Sequence, residues 1–309
     1  MTAERVESIL GTHARSSSNL RLTYNNDPKR TDEYLKTAEV LMVAGPVDLV
    51  NLARRAPSLR WVQLSSAGAE AAVDHIPQGV SLTNVRGVHK DRAGEFGITS
   101  LLMLNNLIPA FASQQRNHVW RQAPVSPITG KSVCILGLGA LGGACAKWAK
   151  TFGMNVIGVT RSRSPHEFAD EVVGLEDIEK VFKRSDFVVI ALPLTPETKG
   201  CIGQQQLDCL PVGAALVNIG RAAVLDYDAL VAKLKDGTLS CAILDVFLEE
   251  PLPQASALWD VPNLLITPHC GLDDQSDYGL RCLHVFADNL KAYLAGEVLK
   301  TVVDPSKGY

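Results

Sequence analysis

Nothing in the 309-residue chain is apolar over the ~20 residues a bilayer-spanning helix requires; the purest run, Phe187–Leu194, is eight residues long. Charge of either sign is not in excess. Thirty Lys and Arg against 33 Asp and Glu leave a net charge of −3, so no basic footprint points to nucleic acid or to an anionic membrane. Cysteines are seven, an odd number, and never spaced as C-x-x-C. That pattern fits buried thiols in a reducing compartment better than a disulfide framework or a zinc site, and no metal is expected. Behind Met1 stand Glu4, Arg5 and Glu7 where a signal peptide needs an apolar core. A soluble cytoplasmic protein is the expectation.

Two catalytic signatures are also missing. None of the six tyrosines has a lysine four residues on, so there is no Tyr-x-x-x-Lys pair. Gly130-Lys131-Ser132 has the tail of a phosphate loop, but Val125 stands where its first glycine belongs and Lys131 leads into a strand. Cys270 follows His269 directly, yet adjacent side chains in extended structure point opposite ways, which argues against a Cys–His nucleophile.

What is present is an ordinary globular composition, 46% hydrophobic and 20% charged, in a chain long enough for about two domains. The first part alternates short apolar runs (Leu20–Tyr24, Val40–Val43, Trp61–Leu64, Ser81–Val85) with helical patterns (Thr31–Ala38, Pro46–Arg55, Gly68–His75). Gly94–Ala112 reads as one longer helix. A stronger alternation starts at Lys131: strands at 133–136, 155–160, 186–192, 214–219, 240–246 and 263–267, with helices at 141–152, 175–184 and 226–235. A long final helix begins at Asp274. Strand–helix alternation of this kind implies parallel sheets covered on both faces.

Gly137-Leu138-Gly139-Ala140-Leu141-Gly142 is G-x-G-x-x-G between an apolar strand and an amphipathic helix. Gly137 suits the tight turn, Gly139 the approach of a pyrophosphate, and Gly142 close helix–strand packing. About 20 residues on, at the end of the second strand, a carboxylate for the adenosine ribose is expected. The chain reads Thr160-Arg161-Ser162-Arg163 instead, a pattern suited to a 2′-phosphate. NADP(H) is therefore expected in preference to NAD(H).

Three later strands each end in a polar residue: Arg221 after Gly220, Asp245, and His269 after Pro268, with Glu250 five residues beyond Asp245. In open parallel sheets the carboxyl ends of strands line the ligand crevice. An Arg to pair with a carboxylate and a carbonyl, a His to donate a proton and a Glu to support the imidazole suit reduction of a 2-keto acid.

The chain resembles the D-isomer-specific 2-hydroxyacid dehydrogenase family over nearly its whole length. The resemblance is carried by Thr83–His89 with Ala93-Gly94-Glu95, Gly130-Lys131 and Leu192–Thr198. It continues in Val217–Arg221, Leu244–Phe247 with Glu250–Pro253, and Thr267-Pro268-His269. It implies Arg221, Glu250 and His269 as the catalytic set and Asp245 beside the nicotinamide. It implies amides of Ala67 and Gly68 on the substrate carboxylate, and Leu192, Pro193, Leu194, Thr198 and Ile219 along the cofactor cleft. It further implies a homodimer of two doubly wound parallel-sheet α/β domains with a cleft between them. These would be a discontinuous flavodoxin-like substrate domain (1–96 plus 286–309) and a Rossmann cofactor domain (97–285). The arginine-bearing loop looks most like the glyoxylate/hydroxypyruvate reductase branch. A bulkier 2-keto acid, with selectivity set around His89, Trp61 and 51–57, is the first alternative. A dinucleotide-sensing protein like the family's transcriptional corepressor is the second. Two departures stand out: Ala222 where glycine commonly follows the arginine, and Glu70 where Asp often follows the carboxylate loop.

Overall fold

The computed structural model describes Val6 and residues 8–10, 20–45, 47–274 and 277–304. It divides into two compact units, Met1–Val88 with Asp274–Tyr309, and His89–Asp273. The boundaries expected at 96/97 and 285/286 fall inside helices Lys90–Asn105 and Tyr278–Leu294. A hydrogen-bonded helix moves as one body, so the divisions lie in the loops at the helix starts instead.

In the smaller unit β1 (Val40–Val43), β2 (Trp61–Leu64) and β3 (Ser81–Thr83) form a parallel sheet in that order. Leu20–Tyr24, expected as a strand, joins no ladder and leaves Leu22 and Tyr24 exposed; alternation without a partner strand does not hold a strand together. Gly68–His75 yields only a 3-10 turn, Val73–His75, because so short a segment opening on glycine cannot sustain a helix by itself. The helix expected from Pro46 is reduced to Leu52–Arg55, and Pro46 itself lies outside the described residues.

Trp61 is fully buried, stacked on Phe286 with ring centroids 5.2 Å apart. It is therefore a core residue and not the selectivity residue expected from the sequence. Its indole donates to Thr83 Oγ1 (2.7 Å), whose hydroxyl donates to Gln63 Oε1 (2.8 Å). Asn289, buried on helix Tyr278–Leu294, extends this chain. Its amide donates to Gln63 Oε1 (3.1 Å) and to the Lys300 carbonyl (3.0 Å), and its oxygen accepts the Lys300 amide (2.7 Å). Beyond Lys300, the backbone pairs antiparallel to β3 through Thr83 and Val302.

The larger unit holds seven parallel strands in the order β10-β9-β8-β7-β4-β5-β6. These are β4 (Ser132–Leu136), β5 (Asn155–Val159), β6 (Glu171–Val173), β7 (Phe187–Ile190), β8 (Ala215–Asn218), β9 (Cys241–Leu244) and β10 (Leu264–Ile266). Val133 and Ile135 enter the core on one face, and Cys134 and Leu136 the core on the other. Burial on both faces is why these strands read as unbroken apolar runs. Helices Lys90–Asn105 and Ala140–Thr151 cover the first face; helices Ile178–Phe182 and Tyr227–Lys235 cover the second.

The helix expected over Gly94–Ala112 is two, Lys90–Asn105 and Ile108–Arg116, broken at Leu107, whose φ is 56°. Pro109 has no N–H and crowds the carbonyl four residues before it, so it fits only in the first turn of a new helix. No single helix among the described residues is long and apolar enough to cross a membrane.

Asn289→Ala should destabilise the protein by about 2–4 kcal/mol in urea unfolding, because it strips partners from buried backbone groups at Lys300. A loss below about 0.5 kcal/mol, the scale of a neutral surface change, would count against the network.

Candidate active site

All seven strands run the same way, so the ends of β10, β9, β8, β7 and β4 stand side by side in that order. Leaving them are His269, Asp245, Arg221, the Leu192–Thr198 loop and the glycine loop. Arg221 and His269, 48 residues apart along the chain, follow β8 and β10, and Glu250 lies in the loop that follows β9 between them.

His269 Nδ1 lies 2.6 Å from Glu250 Oε2, with the ring N–H placed to donate to the carboxylate. The other oxygen, Glu250 Oε1, accepts the Phe247 amide (2.8 Å). Burial pushes the Glu250 carboxyl up, but the His269 hydrogen bond, the Phe247 amide and the charges of His269 and Arg221 outweigh it. The net result is a carboxyl below its ordinary range. Nδ1 belongs to Glu250, so Nε2 is the ring atom left for chemistry, and the neighbouring Cys270 thiol has no part in the pair.

Asp245 holds this histidine from beneath. It is 1% exposed, and Oδ1 accepts the Thr267 hydroxyl (2.6 Å), the Cys270 amide (3.2 Å) and the Gly271 amide (3.0 Å). Those bonds grip the chain on both sides of His269, whose φ is 51°. Burial raises the Asp245 carboxyl, with the Thr267 hydroxyl and the Gly271 amide pulling the other way. Gly271 is a site-shaping residue that the sequence did not point to, and Thr267, quoted there only as part of the histidine motif, takes a role that its hydroxyl at the strand end, two residues before the histidine, could have signalled.

Arg221 follows β8 in extended backbone (φ −134°) and donates from Nη1 to the Gly220 carbonyl (2.9 Å). Asn218 fixes this turn, its oxygen accepting the Gly220 amide (3.0 Å) and its amide reaching the Arg221 carbonyl (3.2 Å). A Cβ on Gly220 would sit 2.6 Å from the Leu192 carbonyl, so glycine lets the β7 and β8 loops approach. Ala222 opens a right-handed 3-10 turn, Ala222–Val224, which needs no glycine.

The glycine loop meets each of its three requirements separately. Gly137 has φ +90°, a Cβ on Gly142 would lie 1.8 Å from the Gly137 carbonyl oxygen, and a Cβ on Gly139 would meet nothing within 4 Å. Helix Ala140–Thr151 begins here with no side-chain cap on its first amides. Open backbone at Gly139 beside uncapped amides of Ala140 and Leu141 fits a pyrophosphate. Arg161, Ser162 and Arg163 are exposed beyond β5, with Arg163 ion-paired to Glu176. Pro193 and Leu194 are half-buried. Leu192, Thr198 and Ile219 are buried, and the Thr198 hydroxyl is spent inside its own loop on the Pro193 carbonyl (2.7 Å). These three shape the floor of the loop cluster.

Residues 98–271 match the family model described as D-isomer specific 2-hydroxyacid dehydrogenase, NAD binding domain. The chain belongs to the D-isomer-specific 2-hydroxyacid dehydrogenase family. Glyoxylate/hydroxypyruvate reductase B of Erwinia tasmaniensis is 34% identical over 98% of this chain and 96% of its own. A D-isomer-specific 2-hydroxyacid dehydrogenase of Xanthobacter autotrophicus, solved with NADPH, superposes with a TM-score of 0.83 at 30% identity, covering 100% of this chain and 96% of that one. An NADPH-dependent glyoxylate/hydroxypyruvate reductase of Sinorhizobium meliloti, solved with NADP, gives 0.84 at 27% identity, covering 100% and 97%. The protein is thus an oxidoreductase with an NAD(P)-binding domain, a 2-hydroxyacid dehydrogenase acting as a 2-keto acid reductase.

In this dehydrogenase Ala67 and Gly68 belong to the smaller unit, in the loop after β2. Their carbonyls are tied back by Asn84 Nδ2 (2.7 Å) and by the Ser66 hydroxyl (2.7 Å) respectively.

Gly142→Ala should destabilise the dehydrogenase by about 3 kcal/mol or more, since the clash is with backbone. Gly139→Ala, at φ −70°, should cost under about 1 kcal/mol in folding yet weaken dinucleotide binding about tenfold. Unfolding curves and cofactor titrations of the pair check this; equal behaviour of the two variants would contradict it.

A carboxyl lowered in the folded state stabilises above its unfolded value, here 4.5, and the contribution disappears as pH falls through the folded value. The melting-temperature gap between wild type and Glu250→Gln should therefore be widest near neutral pH and close below about pH 4. A gap unchanged from neutral to acid pH would show that the Glu250 charge is not what stabilises.

Proposed function

We propose that the protein reduces a small 2-keto acid of the glyoxylate or hydroxypyruvate type, using NADPH in preference to NADH, with Arg221, Glu250 and His269 as its catalytic residues. The observation that carries this reading is the His269–Glu250 pair at 2.6 Å, on a strand end two places from that of Arg221. The nicotinamide cofactor, when bound, supplies a hydride for the carbonyl carbon. Gly137, Gly139, Gly142 and the amides of Ala140 and Leu141 would hold its pyrophosphate, and Arg161, Ser162 and Arg163 its adenosine end, the two guanidinium groups facing the 2′-phosphate.

The chemistry of the side chains follows from the two charges that must be managed. A 2-keto acid carries a carboxylate, and its carbonyl oxygen gains negative charge as the carbon is reduced. The Arg221 guanidinium presents a planar fork able to pair with both oxygens. His269 Nε2 gives its proton to the carbonyl oxygen, so that with the hydride on the carbon the C=O becomes a C–H and an O–H and the 2-hydroxy acid keeps its carboxylate. Glu250 keeps the ring oriented through Nδ1.

Cofactor choice rests on what stands at the end of β5. Thr160–Arg163 contains no carboxylate for a ribose 2′-hydroxyl and two guanidinium groups for a 2′-phosphate. Neighbouring structures of the family hold NADPH and NADP, which supports the same assignment.

Oxidation of NADPH should depend on added glyoxylate or hydroxypyruvate, with kcat/KM for NADPH about tenfold above that for NADH at one fixed salt concentration. His269→Ala should lower kcat by about 10²–10⁴ with little change in NADPH affinity. Undiminished turnover in that variant would remove His269 from the chemistry, and a preference for NADH would overturn the cofactor assignment.

A further inference from the structure

The carboxylate missing from the end of β5 is not missing from its surroundings. β5 and β6 pair from Ile157 with Glu171 to Val159 with Val173, and the Thr160 amide continues the ladder onto the Val173 carbonyl at 2.9 Å. Past this point Thr160-Arg161-Ser162-Arg163 leaves one strand and Gly174-Leu175-Glu176 leaves the other. The first segment turns back on itself, the Arg163 amide donating to Thr160 Oγ1 (3.0 Å) with φ 53° at Arg163. The second forms the 3-10 turn Leu175–Asp177. A Cβ on Gly174 would stand 2.4 Å from the Glu176 carboxylate oxygens, so glycine there makes room for the carboxylate to fold back. The Glu176 carboxylate and the Arg163 guanidinium meet in an ion pair between half-exposed side chains.

We propose that Glu176 is a specificity-determining residue that tempers the preference for the 2′-phosphorylated cofactor by holding the Arg163 guanidinium. The proposal rests on the cofactor reading above, in which Arg163 faces a 2′-phosphate. A 2′-phosphate carries more charge than a carboxylate and takes charge-assisted hydrogen bonds from Arg, but to gain Arg163 it must first displace Glu176. An exposed ion pair is weak, so the exchange is possible and its cost modest. A cofactor with a free 2′-hydroxyl has no claim on Arg163 and leaves the pair intact. Glu176 thus acts through Arg163, as a positioning residue, and moves binding of one cofactor class only.

Calorimetric titration of NADP⁺ and NAD⁺ into wild type, Glu176→Gln, Arg163→Gln and the double variant tests this. Glu171→Gln, at the other end of β6 and paired with Arg184, controls for loss of one negative charge. Glu176→Gln is expected to tighten NADP⁺ about two- to fivefold, the scale of one exposed ion pair. NAD⁺ binding and kcat should stay unchanged. In the Arg163→Gln background the same substitution should give no gain. NADP⁺ affinity unmoved or weakened by Glu176→Gln, an equal gain without Arg163, or an equal gain in Glu171→Gln would each overturn the proposal. Tighter binding of NAD⁺ than NADP⁺ by wild type would instead overturn the cofactor reading beneath it.

Discussion

The parallel ladder of the larger unit is the constraint on which the site depends. Because every strand points the same way, five loops distant in sequence emerge side by side, at the spacing of neighbouring strands. The chain supplies one polar device to each: an imidazole after β10, a buried carboxylate after β9, a guanidinium after β8, a buried hydroxyl loop after β7 and glycines after β4. Reversing or removing any one strand would separate groups that the ladder brings together. The apolar runs are therefore functional in an indirect sense, since burial on both faces is what keeps the strands aligned.

Asp245 shows how the site is braced from inside. A nearly inaccessible carboxylate is costly unless its lone pairs are used, and three donors on one oxygen use them. Two of those donors are backbone amides just past His269 and the third is a hydroxyl just before it. The left-handed backbone at His269 is held by this grip. The His269 ring is set by two carboxylates with different tasks: Glu250 addresses the ring nitrogen and Asp245 addresses the chain that carries the ring.

The dinucleotide end is governed by backbone approach and by charge balance. At the glycine loop each glycine answers a different demand, conformation at Gly137, packing at Gly142 and access at Gly139. At the end of β5, charge is less one-sided than the local sequence implies. Arg163 has Glu176, and the charge of Arg161 helps lower the Glu197 carboxyl, after the larger effect of the Thr195 hydroxyl.

Much of this protein was legible in its sequence because the signals were local and physical. Fully buried strands at 133–136 and 187–190, the glycine loop, the arginine loop, Arg221 and His269 after strand ends and Glu250 in the loop after β9 all follow from short patterns read against the geometry of parallel sheets. The elements misread were those whose fate depends on partners. Leu20–Tyr24 alternates like a strand but joins no ladder, and Gly68–His75 is patterned like a helix but is too short to hold one. Trp61 looked available for recognition until packing against Phe286 and the Thr83 hydrogen bond placed it in a core. β6, three residues long, carries too little pattern to be seen, yet it brings Glu176 to Arg163 from 13 positions away. Sequence alone determined which groups the site contains, since hydrophobic period, turn chemistry and motif spacing are properties of neighbouring residues. Tertiary structure alone decided which of those groups touch, because contacts such as Asp245 with Gly271 and Glu176 with Arg163 exist only once separate strands are hydrogen-bonded into one sheet.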